Sequence, residues 1–388
     1  MKKLAVALAL VGLSSTSALA AGGVDPTFSG DGLAKFAPLD YAPEVLVDSM
    51  NRVYVGGMVA PGNPFAGTAV LIRYKANGVL DTTFSGDGKV YLNAGGWVHG
   101  LELVGSNVLV LLEDRLASIK PSGAYNKAFD LDGQAMLDIR LGQNVNDALA
   151  VGNGLIYVLR QYAVDDQSFI DQYADGMWQQ SLRLPPNRIT KAITIHGQIL
   201  YAAGMDVSPE IEWPGSRAFV TSVSLPSLTL NTSFGGGTVY GSLGSQAEDV
   251  LVSPGSLKVT LVGMMYTCPG DSCSSYYAGW AMRFLPNGSR DTFYDEDGEA
   301  DLIPSADRVM AATMQSGGRV VVGFRYSHGE PGFGAFRMTS DGQVDPGFRL
   351  SPNFYNLSSD AVLEDITTSH SGTRLVVVGG PYTVRYLG

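Results

Sequence analysis

Charge is scarce in this sequence. Asp, Glu, Lys and Arg make up 16% of its 388 residues, against about 25% in an average globular domain. Cysteine is scarcer still, with two, and histidine occurs four times. So little charge excludes a coiled coil, a conventional helical bundle and an Arg/Lys-rich nucleic-acid binder. What charge there is leans negative: 37 acidic against 26 basic residues give a net −11. That sign argues against DNA, RNA or an anionic membrane surface as partner. Nothing beyond the N-terminus resembles a membrane span. Disorder is also disfavoured, because 45% hydrophobic residues can bury a substantial core. Glycine, by contrast, is plentiful: 48 of 388 residues, where about 7% is usual. Turns must be frequent.

Residues 1–20 read as a secretory signal peptide. Lys2 and Lys3 supply the positive start, Leu4 to Leu13 the apolar stretch, and Ala18-Leu19-Ala20 a small-residue cleavage site. The apolar stretch is too short to span a bilayer. No Cys follows it to take a lipid anchor. A periplasmic or extracellular chain beginning near Ala21 is expected, acting as a monomer. In an oxidising compartment Cys268 and Cys273, which enclose Pro-Gly-Asp-Ser, read first as a local disulfide. Their spacing is not C-x-x-C, and two cysteines without clustered histidines make a poor zinc site.

Internal repeats decide the fold. An aromatic followed by small residues and Asp-Gly recurs as Phe28-Ser-Gly-Asp-Gly32, Phe84-Ser-Gly-Asp-Gly88, Phe129-Asp-Leu-Asp-Gly133 and Phe293-Tyr-Asp-Glu-Asp-Gly298. Phe234-Gly-Gly-Gly237 and Phe348 are degraded versions, and Trp178 stands in the corresponding place of the weakest copy. Between anchors lie two apolar runs joined by a short polar turn, as in residues 45–57, 101–112, 250–263 and 366–380. A third run then ends in a dipeptide such as Asn77-Gly78, Ser122-Gly123, Asp175-Gly176, Asn287-Gly288 or Asp341-Gly342. β-Branched runs punctuated by such pairs are β-hairpins. Four strands per unit, repeated radially, make a β-propeller. The expectation is an all-β chain: one domain over residues 21–388, a single seven-bladed β-propeller. The last blade would be closed by the mature N-terminal segment, which removes an open sheet edge.

Counting from the third-run glycine, an Arg five residues earlier and an Asp three later occur together: Arg73/Asp81, Arg283/Asp291, Arg337/Asp345 and, across closure, Arg385/Asp25. Units without that Arg carry Asn126, Gln179 and Asn231 in place of the Asp. One such pair per blade predicts structural ion pairs between neighbouring strands, not catalysis.

The stretch Leu80-Asp-Thr-Thr-Phe-Ser-Gly-Asp-Gly-Lys-Val90, preceded by Ile72-Arg-Tyr-Lys-Ala-Asn-Gly78, resembles the delta-60 repeat of bacterial exported proteins. The likeness covers nearly all of residues 22–388 and is weakest in the third and fourth units. It implies a β-propeller-like fold and supplies no catalytic residues.

Chemistry is harder to find. The four histidines share no spacing, and G-x-S-x-G, Walker and H-E-x-x-H motifs are absent. Asp295, Asp297 and Asp301 partly match a calcium loop, but calcium takes about six to eight oxygens and Asp-Gly also simply suits a turn. No cofactor is expected, calcium being the one candidate. At or just before the inner strands stand Glu44, Asp147, Lys191, Asp249, Arg308 and Asp365, a mixed, mainly acidic ring at the channel mouth, with His99 and Gly100 in the second unit. The loops expected on that face carry Phe65, Tyr162, Trp213, Tyr266, Tyr276, Tyr277 and Tyr326. Variable loops on a rigid ring are where binding usually resides. The ring and Trp213 therefore predict a binding module for a carbohydrate or a protein. The rival readings are a polysaccharide lyase or hydrolase using channel-mouth carboxylates, or a structural envelope protein.

Overall fold

The computed structural model describes residues 21–36, 39–60, 67–137, 143–144, 148–162, 167–211, 216–267, 276–303, 308–326, 332–348 and 363–388. The signal-peptide reading and the Cys268/Cys273 reading lie outside them.

The chain folds as a seven-bladed β-propeller. After β1 (Leu33–Lys35), blade 1 comprises β2 (Tyr41–Val47), β3 (Val53–Val59), β4 (Thr68–Tyr74) and β5 (Lys89–Gly95). Blade 2 holds β6 (Val98–Val104), β7 (Asn107–Leu112), β8 (Arg115–Ile119) and β9 (Gln134–Met136). In blade 3 the inner strand comes in two pieces, β10 (Gln143–Asn144) and β11 (Leu149–Gly152), followed by β12 (Leu155–Tyr162), β13 (Gln167–Ala174) and β14 (Met177–Arg183). Blade 4 runs through β15 (Arg188–His196), β16 (Ile199–Asp206), β17 (Arg217–Ser224), β18 (Thr229–Leu230) and β19 (Thr238–Leu243). Blade 5 is β20 (Ser245–Val252), β21 (Val259–Thr267), β22 (Tyr276–Phe284) and β23 (Glu299–Ile303). Among the described residues blade 6 shows β24 (Arg308–Met314), β25 (Val320–Tyr326) and β26 (Gly332–Met338). Blade 7 contains β27 (Asp365–Thr368), β28 (Arg374–Gly379) and β29 (Tyr382–Leu387), with β1 antiparallel to β29 as its outermost strand.

Every pairing is antiparallel and, β1 with β29 apart, joins strands of one repeat, as hairpin-linked apolar runs dictate. The buried apolar side chains of the described residues fall into seven clusters, each between two adjacent blades. A single blade cannot bury both its faces, so the ring is what makes each sheet stable.

The repeat motif is the fastener between blades. Phe84 is fully buried, and the Arg73 guanidinium lies 4.6 Å over its ring. Arg73 Nε sits 2.8 Å from Asp81 Oδ2, while Nη1 donates to the Pro121 carbonyl of blade 2 at 2.7 Å. The guanidinium therefore ties its own loop to the next blade. Arg283, Arg337 and Arg385 lie in the same way over Tyr294, Phe348 and Phe28, at 4.2, 4.7 and 4.8 Å. Each donates Nε to its own Asp: Arg283 to Asp291 at 2.7 Å, Arg337 to Asp345 at 2.9 Å and Arg385 to Asp25 at 3.0 Å. In blades 2 and 4, where the Arg is missing, a smaller neutral pair fills the place: Asn126 donates to Ser118 at 3.4 Å and Asn231 to Ser222 at 3.1 Å. In blade 3 the place is held by Asp171, which pairs with Arg160.

The third-run glycines meet the preceding blade. A Cβ on Gly78 would come within 2.5 Å of the Ser29 backbone nitrogen and 2.8 Å of the Phe28 ring. The Ser29 N–H donates to the Asn77 carbonyl at 2.6 Å, and Ser85 N–H repeats the contact with Ser122 at 2.8 Å. Glycine is thus demanded by close approach as well as by its φ of +78°.

Two expected anchors are corrected. In the fifth unit Tyr294, not Phe293, is the buried aromatic: Tyr294 is 1% exposed and Phe293 86%. Counting from Asp291 as from Asp81 gives this register, so an adjacent aromatic had shifted the reading by one residue. Trp178 is not an anchor at all, being 57% exposed on β14. Blade 3 joins β13 to β14 by a bare Asp175-Gly176 hairpin and has no loop in which to bury one.

Candidate functional site at the channel mouth

The inner strands share a further device. In β6, β15, β20 and β24 the pairing register slips by one residue, so that His99, Lys191, Glu248 and Met310 are extra residues facing a single partner. The same slip occurs in β2 between Tyr41 and Glu44. A bulge of this kind turns two consecutive side chains toward one face. Each of these five inner strands consequently presents a pair of residues to the channel instead of one.

The outcome is a cavity of about 720 Å³ at the channel mouth, lined from all seven blades. Its polar lining includes Glu44, His99, Lys191, Glu248, Asp249, Arg308, Glu364 and Asp365, with Trp97 and Tyr41 beside them. The structure therefore brings together seven residues read from the sequence: Glu44, His99, Gly100, Lys191, Asp249, Arg308 and Asp365. Asp147 and Trp213 lie outside the described residues. Glu248, Glu364, Tyr41 and Trp97 were missed. The bulge explains the first, because strict alternation sends the neighbour of Asp249 to the opposite face. Glu364, just before β27, takes the equivalent place in blade 7.

Two carboxylates clip neighbouring blades together. Asp249 Oδ1 accepts from its following amide, Val250, at 2.7 Å and Oδ2 from Ala312 of blade 6 at 3.0 Å. Asp365 does likewise, with Ile366 at 2.7 Å and Val45 of blade 1 at 2.9 Å. Burial pushes Asp249 up to about 7, overcoming these amides, and the nearby Asp365 and Glu248 charges add to the rise. Burial likewise raises Asp365 to about 6.

The remaining groups divide around the rim. Across blades 4 and 5, Lys191 Nζ meets Glu248 Oε1 at 2.5 Å. Across blades 7 and 1, the Tyr41 hydroxyl donates to Glu364 Oε2 at 2.8 Å, and the Tyr41 ring meets Trp97 edge-on with centroids 4.4 Å apart. Burial raises the Glu364 carboxyl; the Tyr41 bond and the charges of Arg325 and Arg308 oppose it. Two residues beyond Gly100, on the same face of β6, Glu102 is pushed by burial up to about 7.

Of the calcium candidates, Asp295 and Asp297 are turn residues. Asp297 Oδ1 accepts from Glu299 N–H at 2.9 Å, as Asp31, Asp87 and Asp132 accept from Leu33, Lys89 and Gln134 at 2.9, 3.2 and 2.8 Å. Asp295 accepts from Gln343 of blade 6, and Asp301 stands on β23 opposite Trp280. Among the described residues no three metal-ligating side chains are gathered together, and no helix is long and apolar enough to cross a membrane.

No protein-family profile and no curated protein matches this chain. Among solved structures it is similar to the WD40 domain of Neurospora crassa Pan2, at 11% identity and a TM-score of 0.55, over 89% of this chain and 88% of that one. It is also similar to Chaetomium thermophilum Raptor, at 12% identity and a TM-score of 0.59, over 92% of this chain and 29% of that one. The chain thus spans less than a third of Raptor's length. At these identities the likeness is one of fold: the shared architecture is the β-propeller.

Proposed function

We propose that this chain is an exported binding module, delta-60-like in its repeats, that takes a carbohydrate at the mouth of its central channel. One observation carries the reading: the channel-mouth cavity sets the Tyr41–Trp97 aromatic pair beside carboxylates drawn from several blades. Aromatic rings offer apolar faces to sugar rings, and flanking carboxylates accept from hydroxyls. The WD40-like neighbours support a ring used for recognition.

The lyase or hydrolase reading loses ground at the same place. Asp249 and Asp365 hold their oxygens on backbone amides of two blades each. Such carboxylates are built into the ring and are poorly free to attack or to shuttle protons.

A thermal-shift screen of residues 21–388 against soluble oligosaccharides tests the proposal. A ligand at 100 times its Kd adds about 2.7 kcal/mol and moves the midpoint by several degrees. Trp97→Ala is expected to abolish the shift while the apo midpoint stays put. No shift with any sugar would overturn the carbohydrate reading and leave a protein ligand or a structural role.

A further inference from the structure

We infer that the face opposite the channel mouth carries a second site, which takes a phosphate-type oxyanion, free or as a monoester. The inference is independent of the carbohydrate reading above.

The site is made of turns. Each inner strand starts at the mouth and runs to a tight turn on the far face, so the turns β20–β21, β24–β25 and β27–β28 of blades 5, 6 and 7 come side by side there. They enclose a cavity of about 730 Å³, lined by residues drawn from 253–258, 314–318 and 368–372 together with Arg283 and Ser340. A Cβ at Gly255 or Gly317 would meet nothing within 4 Å, so these turns leave the space open.

The group that points to a ligand is Gln315. It lines the cavity and is 3% exposed. Its Oε1 accepts from Arg337 Nη1 at 3.2 Å. A guanidinium only donates, so this contact fixes which end of the amide faces Arg337. The NH2 end is left without a hydrogen-bond partner. Gly388 backs it on one side, where a Cβ would come within 2.4 Å. A buried donor with no acceptor is destabilising, and the open space it borders is the cavity.

Two more donors stand in the same wall. In blades 1 and 7 the girdle Arg gives its Nη2 to a Thr two residues beyond the Asp: Arg73 to Thr83 at 3.0 Å and Arg385 to Thr27 at 2.8 Å. In blade 5 that Thr is replaced by Phe293. Arg283 keeps its Nε bond to Asp291 and its Nη1 bond to the Ser340 carbonyl, but has no Thr hydroxyl for Nη2. Lys258 Nζ, partly exposed, meets Asp291 Oδ2 at 2.8 Å and has two further N–H groups to give.

Charge agrees with this donor set. The described lining holds no carboxylate. Counting the groups behind the wall as well, Lys258, Arg283, Arg319 and Arg337 stand against Asp291, Asp341 and Asp345. One positive charge is left over, in a chain whose net charge is −11. A cation would be repelled by Lys258 and Arg283. An oxyanion accepts from amide, guanidinium and ammonium alike, and charge-assisted bonds are the strong ones. Three donor side chains are one more than a carboxylate has oxygens, whereas a phosphate has enough.

Isothermal titration of the 21–388 chain at fixed ionic strength, with inorganic phosphate, glycerol phosphate and glycerol, tests the site. Saturable binding of phosphate, of glycerol phosphate or of both is expected, and none of glycerol; the first two arms tell a free ion from an ester. Gln315→Glu keeps an oxygen for Arg337 while replacing the orphaned NH2 with an acceptor, and is expected to abolish binding. Lys258→Gln leaves the Arg283–Asp291 pair in place and is expected to loosen binding about tenfold. Lys127→Gln, exposed on blade 2, should leave the affinity unchanged. No saturable binding of either phosphate overturns the inference. Binding that Gln315→Glu leaves untouched, or that Lys127→Gln weakens as much as Lys258→Gln does, is general attraction to lysines and also overturns it. Should Gln315→Glu fail to fold, the contrast between Lys258→Gln and Lys127→Gln decides alone. None of these outcomes bears on sugar binding at the mouth, which the thermal-shift screen tests separately.

Discussion

The girdle of anchor loops and the mouth of the channel are built from the same repeats and obey opposite rules. In the girdle four blades repeat one constellation: a buried Arg over an aromatic, an Asp on its Nε, and a contact to a neighbouring element. At the mouth equivalent places hold His99, Lys191, Glu248, Met310 and Glu364. Repetition marks what every blade needs in order to close the ring. Its absence marks where one blade is asked to differ from the next, which is where recognition can reside.

The largest effect should come from breaking the girdle. Arg73→Ala leaves Asp81 uncompensated, uncovers Phe84 and frees the Pro121 carbonyl. Removing one partner of a buried pair costs about 3–5 kcal/mol. Chemical denaturation is expected to show that loss, whereas Arg308→Ala, exposed at the mouth, should stay within about 0.5 kcal/mol. Equal costs would erase the distinction between the two regions.

The two regions should also respond to acid in opposite directions. Asp25, Asp81, Asp291 and Asp345 are held below the ordinary carboxylate value of 3.8, their hydrogen bonds and Arg or Lys partners outweighing burial. A lowered folded-state pKa contributes stability present above 3.8 and lost as pH falls through the folded value. Asp249, raised to about 7, works the other way. Between about pH 4 and 7 the folded chain holds a proton there that the unfolded chain has released, so stability falls as pH rises through this window. Asp249→Asn is expected to lessen the decline toward neutrality, Asp365 (about 6) and Glu102 (about 7) supplying the rest, and to leave the acid limb in place. A decline unchanged in Asp249→Asn would show that this carboxyl does not govern it.

Much of the girdle was legible because its physics is local. The aromatic, the Asp-Gly turn and the Arg–Asp spacing recur within one unit, and the spacing itself reports which strands are neighbours. The register failed where two aromatics stood together, Phe293 and Tyr294, since composition alone cannot say which one faces inward. The mouth was legible only in outline. Asp249 and Asp365 could be read from their place at the start of inner strands, but Glu248 and Glu364 could not. A bulge is a tertiary compromise between the twist of one sheet and the curvature of the ring, and it leaves no signature in an alternating pattern. Trp97 likewise precedes its strand and gains meaning only when Tyr41 of the neighbouring blade meets it.

The smallest effects are expected where the repeat has lapsed. Blade 3 lacks an anchor loop, and Trp178, 57% exposed on β14, donates its indole N–H to Ser181 at 3.2 Å. Its blade is held instead by Gln172 and Gln180, which donate to the Pro226 carbonyl of blade 4 at 3.2 and 2.9 Å, and by the buried Arg160–Asp171 pair, with Nη2 to Oδ1 at 2.7 Å. Trp178→Ser should therefore change stability by no more than about 0.5 kcal/mol, as surface substitutions do. Phe293→Ser, at an 86% exposed position, should behave the same way. Tyr294→Ala, one residue on, should cost roughly 3–5 kcal/mol, the scale for emptying a buried aromatic site. Unfolding midpoints of the three variants place the boundary between girdle and surface to a single residue. A costly Trp178→Ser would mean that blade 3 keeps an anchor after all, in a form the other six do not share.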